Sequence, residues 1–236
     1  TILFSSPTTT IAENPKVLPP LVTFTTRCMP TKRSFNSVSA GIFTLLFKHN
    51  VKILLIGLYF GPQIIAYITT CKTLFYFFPV RLFDCINLIT YYEYAKLFAK
   101  RKFSELRRFH NKHILLVLSL LIIFVLLSLS VGKYVYNLWL NNQFNLTYIF
   151  LLVVLLDGAC TILFHSVISV LVAINNYLKI GIIEFCFMMF STIVSFYFLS
   201  LGYSFMVYFF IILLQSFILL LIAMYIVFKL YKFLKS

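Results

Sequence analysis

The sequence predicts an all-α, polytopic transmembrane helical bundle of about six spans with both termini cytoplasmic. Three observations carry this expectation. Of 236 residues, 61% are hydrophobic and 11% charged, with a mean hydropathy of +0.98. Long uncharged runs recur, the longest from Phe185 to Phe228. The cations gather at the ends of these runs, mostly in alternate links. No segment alternates like a barrel strand, and backbone in lipid must otherwise be helical. This composition excludes an ordinary water-soluble enzyme, a disordered chain and a disulfide scaffold. A net charge of +14 would suggest nucleic acid in a soluble protein. Here membrane topology accounts for it, and no nucleic-acid partner is expected.

Residues 1–36 read as a Pro/Thr-rich tail or linker. They hold Pro7, Pro15, Pro19, Pro20 and Pro30 and keep no helical or strand period. They lack the basic start and continuous apolar core of a signal peptide. The chain begins with Thr, which suits a fragment or a processed product.

Residues 37–236 read as a six-helix transmembrane bundle with spans at 37–60, 63–92, 113–132, 146–172, 178–200 and 204–228. The first accommodates Lys48 and Lys52. Gly61-Pro62 turns the chain. The second carries Pro79, which removes a backbone donor and predicts a kink. The third lies between Lys112 and Lys133 without a formal charge. Residues 134–145, with Trp139, form an interfacial connection. The uncharged run that follows Glu184 is too long for one span and folds back at Gly202-Tyr203-Ser204.

Lys96, Lys100, Arg101, Lys102, Arg107, Arg108 and Lys112 crowd the link after the second span, and Lys179 follows the fourth. Lys229, Lys232 and Lys235 follow the sixth. The positive-inside rule makes that side cytoplasmic in an inner-membrane protein. A rival topology starts the first span at Ile53 and requires an odd span count, which fits the charge bias less well. Between Glu93 and His113, Tyr94, Leu97, Phe98, Phe103, Leu106 and Phe109 can share one apolar side. This predicts either a basic helix lying on an anionic leaflet, where membrane lipid is its partner, or a plain orientation signal.

Chemistry-bearing motifs are sparse. There is no P-loop, H-E-x-x-H, G-x-S-x-G or G-x-G-x-x-G. Cys28, Cys71, Cys85, Cys160 and Cys186 form no C-x-x-C pair and read as small buried hydrophobes. No metal or other cofactor is expected. Asp157, Thr161 and His165 recur every four residues and share a helix stripe, which with Asp84 forms a candidate ion or proton relay. The alternative is a polar seam between helices. Lys48, Lys52, Lys72 and Arg81 place positive charge in the spans, with Asp84 within ion-pair reach of Arg81. Such charges pair, snorkel or line a wet cavity, and a cavity lined by Lys and Arg attracts phosphate. Lys72 and Arg81, nine apart, fall on opposite faces of a straight helix and converge only through a kink at Pro79.

Three stretches together carry a resemblance. They are Leu54-Leu55-Ile56-Gly57-Leu58-Tyr59-Phe60-Gly61-Pro62-Gln63-Ile64-Ile65-Ala66-Tyr67, the link Ala95–Lys100 with Phe103–Arg108, and Leu138-Trp139-Leu140 after Gly132. In spacing and helix count residues 37–236 resemble the C-terminal half of the polysaccharide (O-antigen) flippases. These belong to the multidrug/oligosaccharidyl-lipid/polysaccharide exporter superfamily. Asn50 stands where family members often carry Asp, and no proline precedes the A-K-L run.

The resemblance implies two bundles around a cavity that opens alternately to either side. It implies a polyprenyl-diphosphate-linked oligosaccharide as cargo, moved for surface polysaccharide (lipopolysaccharide) synthesis with no bond made or broken, so not an enzyme. Lys48, Lys52, Lys72 and Arg81 would then meet the diphosphate. A lone half calls for a second chain supplying the missing bundle, or is a truncated product. Competing readings are a multidrug exporter of the same superfamily, which would want cavity acids such as Asp84 and Asp157, and an integral-membrane polysaccharide polymerase or acyltransferase.

Overall fold

A computed structural model describes residues 52–140 and 146–234, with side chains from Ile56 onward. Among these residues the regular structure is helical throughout: α1 (Lys52–Phe60), α2 (Pro62–Ala99), α3 (Phe103–Trp139), α4 (Tyr148–Ala173), α5 (Leu178–Ser200) and α6 (Phe205–Phe233). The five helices α2 to α6 are long and apolar enough to cross a membrane. The chain is an all-α, multi-pass membrane protein.

Local chemistry explains where the helices stop. Gly61 takes φ 79°, which a side chain would disfavour, and Pro62 opens α2 at a position where its missing N–H costs nothing. Helices α2, α4 and α5 each end on a left-handed residue: Arg101, Asn175 and Gly202. In each case the next N–H reaches back five residues: Lys102 to Leu97 at 3.1 Å, Asn176 to Leu171 at 2.8 Å, and Tyr203 to Phe198 at 3.3 Å. Of these stops Gly202, and less strongly Asn175, carry a sequence signal, and Arg101 carries none. Ser204 then caps α6 by accepting from the Met206 N–H at 3.4 Å.

The Pro79 kink takes a specific form. Pro79 has no N–H for the Phe75 carbonyl four residues back, and its ring crowds that carbonyl. Helix α2 answers with a wider π-helical turn at Thr73–Phe77, closed by the Phe78 N–H on the Thr73 carbonyl.

Several boundaries move from their sequence-based positions. Helix α2 continues past residue 92 to Ala99, supported by a Glu93–Lys96 ion pair at 3.2 Å and by burial of Tyr94 and Leu97. Helix α3 extends in both directions beyond 113–132, so Tyr134–Trp139 is its last turn and a half rather than part of a connection. The stretch from Glu93 to His113 is not one leaflet-bound helix. Lys100–Lys102 breaks it, and Tyr94 and Leu106, both 0% exposed, pack inside the bundle. An apolar side that can join a protein core has no need of the lipid surface. Of the span expected at 37–60 only 52–60 is described. Residues 1–36 and 141–145 lie outside the described residues.

Helix α4 is the centre of the bundle. It packs most extensively on α6 and then on α2 and α3, while α5 packs on α6. Sixty-one per cent of its most apolar window is buried, against 17% for α3, whose outer side is a strip of exposed leucine and isoleucine suited to lipid. Cys71 is buried as expected, whereas Cys85 and Cys186 are exposed. Phe75 is held between two glycines. A Cβ on Gly132 of α3 would meet its ring at 3.0 Å, and a Cβ on Gly158 of α4 would meet its carbonyl oxygen at 3.5 Å.

The alternation of the helices puts Lys96, Lys100, Arg107, Lys179 and Lys232 at one end and Lys133 at the other. A membrane-impermeant maleimide is therefore expected to label Lys100→Cys only in inverted vesicles and Tyr203→Cys only in right-side-out vesicles, each in a cysteine-free background. The reverse pattern would invert the topology.

Candidate functional site

The apolar interior is divided into two clusters. One is built around Phe75, Phe150, Leu151, Val154 and Phe209, the other around Tyr94, Leu106, Val170, Ala223 and Val227. Between them the helices face one another through polar side chains. Asp84 of α2 and His165 of α4 lie 3.0 Å apart, Oδ1 to Nδ1. One turn along, Ser166 donates to the Asn87 Oδ1 at 3.1 Å. Ser191 of α5 donates to the Gln215 Oε1 of α6, and Ser216 donates to the Asp157 Oδ1 at 2.6 Å. The Tyr76 and Thr161 hydroxyls meet at 3.3 Å. All helices from α2 to α6 except α3 contribute to this polar belt. In lipid such pairing is what makes the groups tolerable.

Depth follows from helix rise. Tyr94 meets His110 and His113 beside the basic end of α3, so it marks one edge of the membrane. Asp84 is ten residues from Tyr94, about 15 Å along the helix, which is half of a hydrocarbon core of about 30 Å. Lys72 lies 22 residues from Tyr94, about 33 Å, and so stands near the far edge.

The relay candidates Asp84 and His165 come into contact, although neither sequence position indicates the other. Asp157 and Thr161 share His165's helix but engage different neighbours, Ser216 and Tyr76. Asp157 is 3% exposed. The stripe therefore has the form of a seam facing two helices.

The cation candidates do not gather in one place. The Lys72 ammonium sits over the rings of Phe209 at 5.0 Å and Tyr76 at 5.7 Å, a cation–π arrangement inside the bundle. Arg81 points outward with its side chain 75% exposed, its Nη1 4.0 Å from the Asp84 Oδ2. Arg81, Asp84, Tyr91 and His165 line an open groove of about 530 Å³ that does not include Lys72. Lys48 and the Lys52 side chain lie outside the described residues. Among the described residues no three His, Cys, Asp or Glu gather as a metal site requires.

Sequence reasoning missed Asn87, Ser166, Ser191, Gln215 and Ser216. Each is a small or amide side chain inside an apolar run, and only the three-dimensional pairing distinguishes them. It also missed the Tyr94 hydroxyl, which bridges His110 Nδ1 at 3.1 Å and His113 Nδ1 at 2.8 Å. Tyr94→Phe leaves two buried imidazoles without that partner and is expected to cost about 1–3 kcal/mol, read as a lower melting temperature in detergent.

Comparison with protein-family models, curated proteins and solved structures finds no match to the chain.

Proposed function

We propose that these helices form one bundle of a transporter that moves a polyprenyl-diphosphate-linked oligosaccharide across the cytoplasmic membrane, working against a second bundle. The observation that carries the reading is Arg81. Its side chain is 75% exposed on a helix face within the span, roughly 20 Å along α2 from Tyr94. An arginine facing lipid near the bilayer centre costs about 2.5–3.5 kcal/mol on insertion scales. That face is therefore wet, or covered by another bundle, and the groove it shares with Asp84 and His165 is open on that side.

A wet, cationic face between two bundles suits an anionic headgroup, while the attached chain stays in the bilayer. Asp84 and His165 beside Arg81 supply a titratable pair for ion coupling. The multi-pass bundle, the one-sided cation distribution and the resemblance of residues 37–236 to the flippases point the same way.

The test is transport. In cells that also carry the complementary bundle, Lys48→Ala with Lys52→Ala, or Arg81→Gln alone, is expected to abolish surface glycan while leaving the membrane level of the protein unchanged. Unchanged glycan at normal protein level overturns the assignment of these cations to cargo.

A further inference from the structure

On another flank of the bundle, α3 and α6 diverge over α4 and leave a groove of about 460 Å³. Its floor is Leu163 and Val167 of α4, and its walls include Leu118 of α3 and Met224 of α6. One end is different in character. Arg107, His110, Tyr231 and Lys232 converge there. A second hollow of about 340 Å³, also lined by Arg107 and Tyr231, continues around the start of α3 to Ser104.

Two polar atoms at this end are buried without a partner: His110 Nε2 and the Tyr231 hydroxyl. His110 is 2% exposed and Tyr231 9%, and their rings lie 5.7 Å apart. Buried polar groups are nearly always hydrogen-bonded, so an unmatched pair at the end of a groove marks a place where something else binds. The one Tyr94 hydroxyl proton can go to only one of the two imidazoles it touches, so His110 Nε2 is a donor in one tautomer and an acceptor in the other, and a bound acceptor selects the first. The Tyr231 O–H is a donor. Arg107 and Lys232 form no ion pair among the described residues. This end therefore presents two cations, a hydroxyl donor and an unmatched imidazole nitrogen, and the remainder of the groove presents carbon.

We infer that this groove binds one anionic phospholipid of the bilayer. Its phosphate accepts from His110, Tyr231, Arg107 and Lys232, and one acyl chain lies along Leu118, Leu163, Val167 and Met224. The charge complementarity and the two unmatched polar atoms select an amphiphile with an anionic head over a purely apolar partner. The position agrees: the polar end lies on the cation-rich side, level with the lipid headgroups, and the groove opens along the lipid-facing flank of α3. The site is separate from the Arg81 face and does not depend on what that face transports.

Native mass spectrometry with equimolar phosphatidylglycerol and phosphatidylcholine tests the inference. The wild-type chain is expected to retain one phosphatidylglycerol in preference to phosphatidylcholine. Arg107→Gln with Lys232→Gln is expected to reduce that adduct about tenfold or more. Lys100→Gln with Arg101→Gln removes the same charge at the same end but outside the groove, and is expected to leave the adduct in place. Met224→Trp keeps the charges and fills the apolar part, and is expected to lose the adduct as well. Equal retention of both lipids, equal loss in both charge pairs, or an adduct that survives Met224→Trp overturns the site. A dimer that dissociates in the Arg107/Lys232 variant while the lipid count stays the same would give the groove to a second copy of the chain, and would also overturn it.

Discussion

Gly158→Leu is expected to prevent accumulation of folded protein. Gly158 lies at the contact between α4 and the π-helical turn of α2. A Cβ there already stands 3.5 Å from the Phe75 carbonyl oxygen and 3.5 Å from the Tyr76 ring. Alanine fits at ordinary van der Waals distance, whereas the rest of a leucine has to displace backbone. The turn cannot retreat, because Phe75 is already pressed against Gly132 on its other side. Overpacking of this kind costs about 1–3 kcal/mol where side chains can adjust, and the loss here is expected at or above the upper end. Fluorescence-detected size exclusion of a tagged protein reads the outcome: a sharp peak for wild type and Gly158→Ala, and aggregate or no peak for Gly158→Leu. A monodisperse Gly158→Leu protein with wild-type thermal stability would show that α2 and α4 do not pack as described.

The second large effect concerns Asp84. Its Oδ1 lies 3.0 Å from His165 Nδ1 and its Oδ2 4.0 Å from Arg81. Asp84→Ala removes the partner of a half-buried imidazole and the counter-charge of an exposed guanidinium in one step. Hydrogen bonds to charged groups contribute about 1.5–3 kcal/mol. If that interaction is made in only one of two transport states, its loss changes the balance between them by about tenfold to a hundredfold. Under the proposed transport role, glycan export is therefore expected to fall by that factor at an unchanged protein level. Asp84→Glu, which keeps the charge one methylene further out, is expected to restore part of it. Arg81→Gln, combined with Asp84→Ala, should add less than its separate effect because the two groups share a contact. Full export by Asp84→Ala would remove Asp84 from the mechanism.

Much of the fold is legible in the sequence because lipid enforces a simple rule. Uncharged runs of sufficient length must be helical, and charged links must lie outside. The span at 178–200 coincides with α5, and the turn at Gly202 and the break at Gly61-Pro62 lie where expected. The errors arise where the rule is silent. Outside the hydrocarbon core, charge no longer marks a helix end, so α2 and α3 continue through residues assigned to links. The stop at Arg101 uses left-handed geometry on a residue that does not advertise it, whereas Asn175 is a residue that adopts it readily.

The site is less legible for a related reason. A serine or glutamine in a membrane helix can satisfy itself on its own backbone, as Ser119 and Ser130 do. Nothing in the chain separates these from Ser166 or Gln215, which reach across to another helix. Lys72 and Arg81 are both visible as intramembrane cations, but their surroundings are set by the wide turn between them and by Phe209, far away in sequence.

The polar belt has a mechanical consequence. Its bonds join α2 to α4, α4 to α6 and α5 to α6, spread over about three turns of the central helices. Sliding α2 along α4 by a single residue, about 1.5 Å, stretches Asp84–His165 and Asn87–Ser166 together, with no intermediate position that preserves either. The belt behaves as a detent: the helices it links hold their register, and conformational travel is passed to the outer faces of the bundle, which moves as a single piece.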